Sequence, residues 1–342
     1  MARRVYCTYF DHNYLSRGLA LYHSLQRHEP GARLWVLCLS EPCYRALLSL
    51  DLPDLVPCRL VDFEAADPEV RATRAVRNTV EYYFTCTPAW MLFVWEREPD
   101  AEWVSYLDGD LLFYGSLEPI YDELLDASVA IIPHRFPAKI ARLAKFGTYN
   151  VGWVGARKDG EGRRVVEWWR QKCIEWCHDY VDGDRFADQG YLDTFPRLSP
   201  RVKVIEHAGA NLAPWNIGNY ELAVADGKVI IDGKWPLIFF HFQGLRKDLG
   251  FFVFNSHRRY RAPFPAMVRQ HIYKPYVGEL LAIEKAIAPV LDVVPAKPHR
   301  RATSIDLKQA MVDVARGLGI RLFQFLDIVT GRAFVVFRGA VR

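Results

Sequence analysis

The sequence predicts an α/β protein with a mixed, mostly parallel sheet flanked by helices. Short apolar runs alternate with helix-period segments over about the first hundred residues, the pattern of a parallel sheet. The runs are continuously apolar, as strands buried on both faces are. Polar and acidic residues gather just after them, at the strand ends where such sheets place ligands.

Val5–Phe10 is the first strand, and Asp11-His12-Asn13 breaks it and supplies a helix cap. Tyr14–Arg27 carries Leu15, Leu19, Tyr22 and Leu25 at helical spacing. Leu34–Leu39 reads as a second buried strand, Pro42–Leu50 as a helix and Cys58–Phe63 as a third strand. Trp103–Leu107 is the central strand, and Val129–Pro133 and Tyr149–Gly155 are further strands. Arg163–Tyr180 predicts a helix with Val166, Trp169, Cys173, Trp176 and Tyr180 on one side. Ile238–Phe242 is apolar and ends at a histidine, and Ser304 caps a last helix reaching about Gly317.

The chain has 342 residues, 51% of them hydrophobic, enough for a large core. Its net charge of +4 is too small to imply nucleic acid. Residues 297–342 hold nine Lys/Arg and three acids, so this tail is +6 and the remainder −2. The tail mixes its arginines with Leu322-Phe323, Phe325-Leu326 and Phe334–Phe337. That composition suits either a peripheral contact with anionic lipid or a packed terminal element with solvated charges. Seven cysteines occur without any Cys-x-x-Cys pair, which predicts a reducing cytosol and argues against structural zinc. No secretory signal and no apolar run of spanning length is present.

The run Trp103–Leu107 ends in Asp108-Gly109-Asp110. Buried carboxylates are costly unless paired or metal-bound. In extended geometry residues i and i+2 share a side, so both acids converge on one hard divalent cation, and Gly109 admits a ligand to the backbone. Asp-Gly is equally a turn signal. His241 follows an apolar strand, with Gly244 and Lys247 three and six residues on. Imidazole suits Mn²⁺-like ions, and the glycine and lysine suit a phosphate; a satisfied core histidine is the alternative. Asn150 and Gly152 suit a sugar hydroxyl and a close approach, or simply a loop entering a strand. Asp188-Gln189 precedes an apolar segment, where Asp188 either stabilises charge or caps a helix. Trp215-Asn216 in a Pro/Gly loop either stacks on a sugar and bonds its hydroxyls, or anchors the loop.

In order along the chain, these motifs resemble those of GT-A-fold glycosyltransferases, closest to the family-8-like group of retaining, metal-dependent sugar transferases. Phe10-Asp11-His12-Asn13-Tyr14 resembles the family's nucleotide-binding start and Leu107-Asp108-Gly109-Asp110 its Leu-Asp-x-Asp. Asn150-Val151-Gly152 resembles Asn-Ala-Gly, Asp188-Gln189 the Asp-Gln pair, and His241 to Lys247 the His-x-x-Gly-x-x-Lys. The resemblance covers roughly residues 5–250 and implies a GT-A catalytic domain over 1–262, with a nucleotide-binding half to about 112 and an acceptor half from 113. Residues 263–342 would be a helical extension with the basic tail.

The resemblance further implies that Asp108, Asp110 and His241 ligate Mn²⁺ or Mg²⁺. Tyr9, Phe10, Asp11 and Asn13 would line the nucleoside pocket, Gly244 and Lys247 would meet the diphosphate, and Asn150, Gly152, Asp188 and Gln189 would surround the donor sugar. The expected activity is transfer from a nucleotide diphosphate sugar, a UDP-sugar above all, to a glycan or lipid-linked acceptor, in the setting of bacterial polysaccharide or lipopolysaccharide synthesis. One departure stands out: the family places an arginine on the helix before the metal strand, where this chain has Glu81–Pro88 with Arg77 upstream. A sugar-nucleotide pyrophosphorylase needs a glycine-rich phosphate loop after the first strand, and Thr8–Tyr14 contains no glycine. A non-catalytic sugar-binding protein is the remaining alternative.

Overall fold

The computed structural model describes residues 3–248, 251–291, 333–337 and 340–341. The chain divides into two compact units, Met1–Phe242 and Gln243–Arg342. The boundary expected at 262 falls inside the second unit.

The first unit begins with β1 (Arg4–Phe10), α1 (Leu15–His28), β2 (Arg33–Cys38), α2 (Glu41–Leu50), β3 (Leu55–Arg59), α3 (Leu60–Ala66), α4 (Pro68–Thr73) and α5 (Thr79–Arg97). It continues with β4 (Trp103–Leu107), β5 (Leu111–Phe113), α6 (Glu118–Asp122), β6 (Val129–Pro133), β7 (Tyr149–Arg157), α7 (Gly160–Glu175), α8 (Phe195–Leu198) and β8 (Val202–Val204). A small hairpin sheet of β9 (Leu222–Ala225), β10 (Lys228–Ile231) and β11 (Trp235–Pro236) precedes β12 (Phe239–His241).

Seven strands form the central sheet in the order β3-β2-β1-β4-β7-β6-β8. The pairs β3/β2, β2/β1, β1/β4 and β6/β8 are parallel, and β7 alone runs against its two neighbours. The predicted mixed, mostly parallel α/β sheet is therefore present, with Trp103–Leu107 at its centre. Because β4 and β6 both oppose β7, their carboxyl ends share one edge with the amino end of β7. A second, two-stranded antiparallel pairing sets Phe239 opposite Phe113 and His241 opposite Leu111.

Local chemistry explains the elements. Asp11 accepts from the Asn13 and Tyr14 amides and ends β1 cleanly. Gly18 on α1 faces the Phe10 ring, which occupies the space a Cβ would need. Ser40 caps α2 by accepting from Cys43 N. Asn78 and Glu81 form a reciprocal capping box at the start of α5. The core between sheet and helices holds Trp90, Trp153 and Trp169, all fully buried, with the Trp90 and Phe93 rings stacked 5.0 Å apart.

Two expectations are corrected. The third strand is Leu55–Arg59, and Leu60 starts a helix instead of extending it. That helix sets Phe63 edge-on to Trp90 at 5.7 Å, a core contact available to the helical form of the segment. The helix expected to reach Tyr180 stops at Glu175. Arg77 donates to the carbonyls of Cys173 and Ile174 in its last turn, satisfying groups a longer helix would have used itself. Trp169 and Cys173 are core as expected, whereas Tyr180 is 55% exposed.

The second unit contains the antiparallel strands β13 (Leu245–Asp248), β14 (Phe251–Phe254), β15 (Ala333–Phe337) and β16 (Ala340–Val341). Its helices are α9 (Asn255–Arg259), α10 (Ala266–Val268) and α11 (Lys274–Leu291). α11 buries Tyr276, Val277, Leu280, Ile283 and Ile287 at helical spacing. The expected helix from Ser304 and most of the basic tail 297–342 lie outside the described residues. Among those described, no helix is long and apolar enough to cross a membrane.

Candidate active site

Asp108-Gly109-Asp110 is a turn linking β4 to β5, closed by Leu111 N donating to Asp108 O at 3.3 Å. The two acids therefore converge through a turn, and the expected extended i, i+2 geometry is corrected. β12 then brings the third member. His241 pairs in register with Leu111, and Phe242 N donates to Asp110 O at 3.0 Å. His241 Nε2 lies 3.1 Å from Asp110 Oδ1 and 3.6 Å from Asp108 Oδ2. One ligand atom from each of the three falls within 4.8 Å of the others.

Further side chains hold this group in place. Tyr106 OH donates to Asp108 Oδ1 at 2.9 Å, and Tyr14 OH to Asp110 Oδ2 at 3.3 Å. Gly152 O accepts from Asp108 N at 3.0 Å. A Cβ on Gly152 would meet Asn150 Oδ1 at 2.5 Å and His241 Nδ1 at 2.8 Å. The close approach inferred at this glycine is thus made by the His241 ring. At Gly109, by contrast, a Cβ would sit at ordinary contact distance, 3.6 Å from the Tyr14 ring.

Charge is unevenly held here. Burial raises the Asp108 carboxyl above its ordinary value and the charge of Asp110 adds to that, while His241 and Tyr106 oppose it. Burial also acts on Asp110, but His241, Arg17 and Tyr14 outweigh it and hold that carboxyl low. Burial would lower His241, and the two carboxylates overcome it and raise the imidazole. An imidazole with two carboxylates is a donor set for Mn²⁺ or Mg²⁺, and its members already converge, so the group fits a divalent cation.

Asp188 is 3% exposed. Burial pushes its carboxyl up to about 7; the Thr87 hydroxyl works against that, and the charge of Asp108 adds to it. Among the described residues its Oδ2 has no hydrogen-bond partner. The residue occupies the N-cap position of the turn Gln189–Thr194 without making a side-chain cap bond, so capping does not account for it. Thr87 also lies 3.3 Å from Tyr9 OH, and the Tyr9 and Tyr106 rings are 5.5 Å apart. A threonine, a tyrosine and a buried acid thus stand together beside α5. Arg77 is occupied at the end of α7, where it also meets His178 at 2.8 Å.

The other expected residues are placed as follows. Asn13 is exposed and donates to Asp11 Oδ2 at 2.8 Å, whereas Phe10 is buried. Gln189 donates to Phe146 O at 2.7 Å and accepts from Asn150 Nδ2 at 3.1 Å. Trp215 and Asn216 are both buried. Asn216 spends its amide on His134 O, Asn211 O and Ala213 N, and the Trp215 ring stands edge-on to His241 at 5.0 Å. They anchor the loop behind His241. Gly244 and Lys247 belong to the second unit, where Lys247 pairs with Glu284 and Gly244 has a positive φ of 75°.

Sequence reasoning missed Tyr106, Thr87, His134 and Arg135. His134 carries the same signal as Asp108, a polar residue just past a buried strand. Arg135 donates to the Ala210, Ile205 and His207 carbonyls and fixes the loop leading to Trp215.

Fold and geometry together define an α/β protein in which Asp108, Asp110 and His241 converge at the carboxyl edge of the sheet. No family model matches the chain. It is 33% identical over 249 residues to the uncharacterized protein YfnF of Bacillus subtilis (strain 168), covering 70% of this chain and 81% of the relative. It is also 33% identical over 282 residues to the uncharacterized protein YfnD of the same organism, covering 80% and 88%. The chain belongs to the family of YfnF and YfnD. Among solved structures it is similar to the galactosyltransferase LgtC in complex with donor and acceptor sugar analogs, with 17% identity and a TM-score of 0.48 over 78% of this chain and 100% of that one. It is also similar to a glycosyltransferase involved in glycosylation of the major capsid of PBCV-1, with 13% identity and a TM-score of 0.42 over 70% and 93%.

Proposed function

We propose that this chain is a metal-dependent glycosyltransferase of the family-8-like type, moving a sugar from a nucleotide diphosphate sugar to a glycan or lipid-linked acceptor. The observation that carries the reading is the convergence of Asp108, Asp110 and His241 at the strand ends where nucleotide-binding sheets hold their ligands. These residues would hold Mn²⁺ or Mg²⁺. The ion, when bound, supplies Lewis-acid charge to a diphosphate leaving group.

The chain's own contribution lies around Asp188. Its buried carboxyl, with one oxygen unpartnered, suits stabilisation of positive charge at the reacting sugar carbon. Such a role accords with retention of anomeric configuration, which NMR of the first product tests: an inverted anomer removes the retaining assignment. A cavity of about 180 Å³ bordered by Leu39, Ser40, Arg59 and Arg74 lies at the carboxyl ends of β2 and β3. The basic tail is the sequence feature that favours a lipid-borne acceptor.

The direct experiment is a thermal-shift screen of nucleotide sugars with Mn²⁺, followed by donor hydrolysis. Stabilisation by one nucleotide diphosphate sugar that disappears with chelator supports the reading. Stabilisation by sugars alone, with no nucleotide or metal dependence, turns it toward a sugar-binding protein.

A further inference from the structure

Asn150 opens β7 at the edge where β4 and β6 end, and its side-chain amide touches three partners. Its Nδ2 lies 3.3 Å from His134 Nε2 and 3.1 Å from Gln189 Oε1, and its Oδ1 lies 3.2 Å from His241 Nδ1. Two backbone carbonyls decide which way this amide faces. Thr148 O accepts from His134 Nδ1 at 3.2 Å, so that nitrogen carries the hydrogen. Burial pushes the His134 imidazole down to about 3, so the ring is neutral and its Nε2 only accepts. Phe146 O accepts from Gln189 Nε2 at 2.7 Å, which turns Gln189 Oε1 toward Asn150. Both neighbours on that side of Asn150 are therefore acceptors, and only the NH₂ end of the amide satisfies them. The oxygen end is left to face His241 Nδ1, and an amide oxygen only accepts. Hence His241 carries a hydrogen on Nδ1, and its Nε2 is the nitrogen turned to Asp108 and Asp110.

We propose that Asn150, braced by His134 and Gln189, is a positioning residue that fixes the His241 tautomer and leaves Nε2 to a divalent cation. His134 packs against Phe136 with ring centroids 4.5 Å apart and against Trp215 at 5.3 Å, so the brace is rigid. The arrangement spends every hydrogen-bonding group of the Asn150 amide inside the protein, and Asn150 acts on the metal side of the site. The inference rests on the metal-site reading, whose ligands it takes as given. Outer partners of this kind typically change metal affinity by about 10- to 100-fold when removed.

The test is Mn²⁺ binding without any nucleotide, followed by EPR of the free ion, for wild type, Asp110→Ala, Asn150→Leu and His134→Phe. Wild type binds and Asp110→Ala does not. Asn150→Leu weakens binding about tenfold or more and His134→Phe weakens it in the same direction, with circular dichroism confirming the fold of each. A wild-type chain without affinity overturns the metal reading itself. Loss in Asp110→Ala with wild-type affinity in Asn150→Leu leaves that reading standing and overturns the inference. Imidazole ¹⁵N NMR of the metal-free protein at alkaline pH adds a readout independent of affinity. The His241 ring, assigned by its disappearance in His241→Gln, shows the Nδ1–H pattern in wild type and a tautomer mixture in His134→Phe. An Nε2–H pattern in wild type overturns the inference.

Discussion

His241 Nε2 stands 3.1 Å from Asp110 Oδ1, although 131 positions separate the two residues in the chain. Without a cation this contact is an ion pair within a group of two acids and one base, and burial makes its balance sensitive to any change of charge.

Replacing Asp110 by alanine removes a ligand and leaves the raised His241 imidazole with one carboxylate. Turnover falls about a hundredfold or more, the usual scale for losing one electrostatic contact to a developing charge. Steady-state rates across a Mn²⁺ titration check this, and wild-type turnover in chelator-treated buffer contradicts it.

Metal should also stabilise the folded chain. At a hundredfold excess of Mn²⁺ over its dissociation constant the gain is about 2.7 kcal/mol, visible as a rise in melting temperature. Asp110→Asn abolishes that rise, and an equal rise in both proteins would place the ion elsewhere.

Asp188 gives stability a defined pH dependence. Its folded value near 7 lies above its ordinary 3.8, so between these pH values the folded state binds more protons than the unfolded one. Stability therefore falls as pH rises through this window; the cost is absent below about pH 4 and complete above about pH 7. Asp188→Asn removes a cost on the order of a few kcal/mol at pH 8 and little at pH 4. Melting curves in chelator at the two pH values measure it, and equal shifts at both would assign the effect to packing.

Gly152→Ala forces a methyl group against Asn150 Oδ1 and His241 Nδ1. The expected result is a loss of about 1–3 kcal/mol together with weaker Mn²⁺ binding. Retention of affinity would mean that the His241 ring moves without consequence for the ligands.

The basic tail predicts salt-sensitive adsorption to anionic vesicles. Cosedimentation with phosphatidylserine vesicles at low ionic strength, abolished at about 1 M salt and absent with neutral phosphatidylcholine, is the expected pattern. Salt-insensitive binding would point to apolar insertion instead.

The sheet was legible because its strands are apolar runs with breakers at both ends, and Trp103–Leu107 could be placed centrally from burial alone. The Asp108, Asp110 and His241 cluster was legible for a related reason: these are polar residues that a buried strand does not tolerate without cause. Cys58–Phe63 misled because a short segment mixing apolar and charged residues fits strand or helix, and packing of Phe63 against Trp90 accompanies the helical outcome. His134 and Thr87 stayed hidden because each is a single polar residue whose meaning depends on a partner far along the chain. Asn150 was visible as a residue, but its hydrogen-bond partners belong to tertiary structure and no spacing rule announces them.

The pairing of β12 with β5 also governs when the site comes into being. His241 sits at the end of the first unit, so during synthesis the sheet, both acids and their tyrosine partners leave the ribosome before the imidazole does. A nascent chain short of this strand holds two neighbouring carboxylates with no base between them, a repulsive pair in search of a counter-ion. Docking of the last strand relieves that repulsion and completes the ligand set in one event. The Asp-Asp-His group is therefore completed late in the first unit, and in the proposed reading cation affinity reports that β12 has paired with β5.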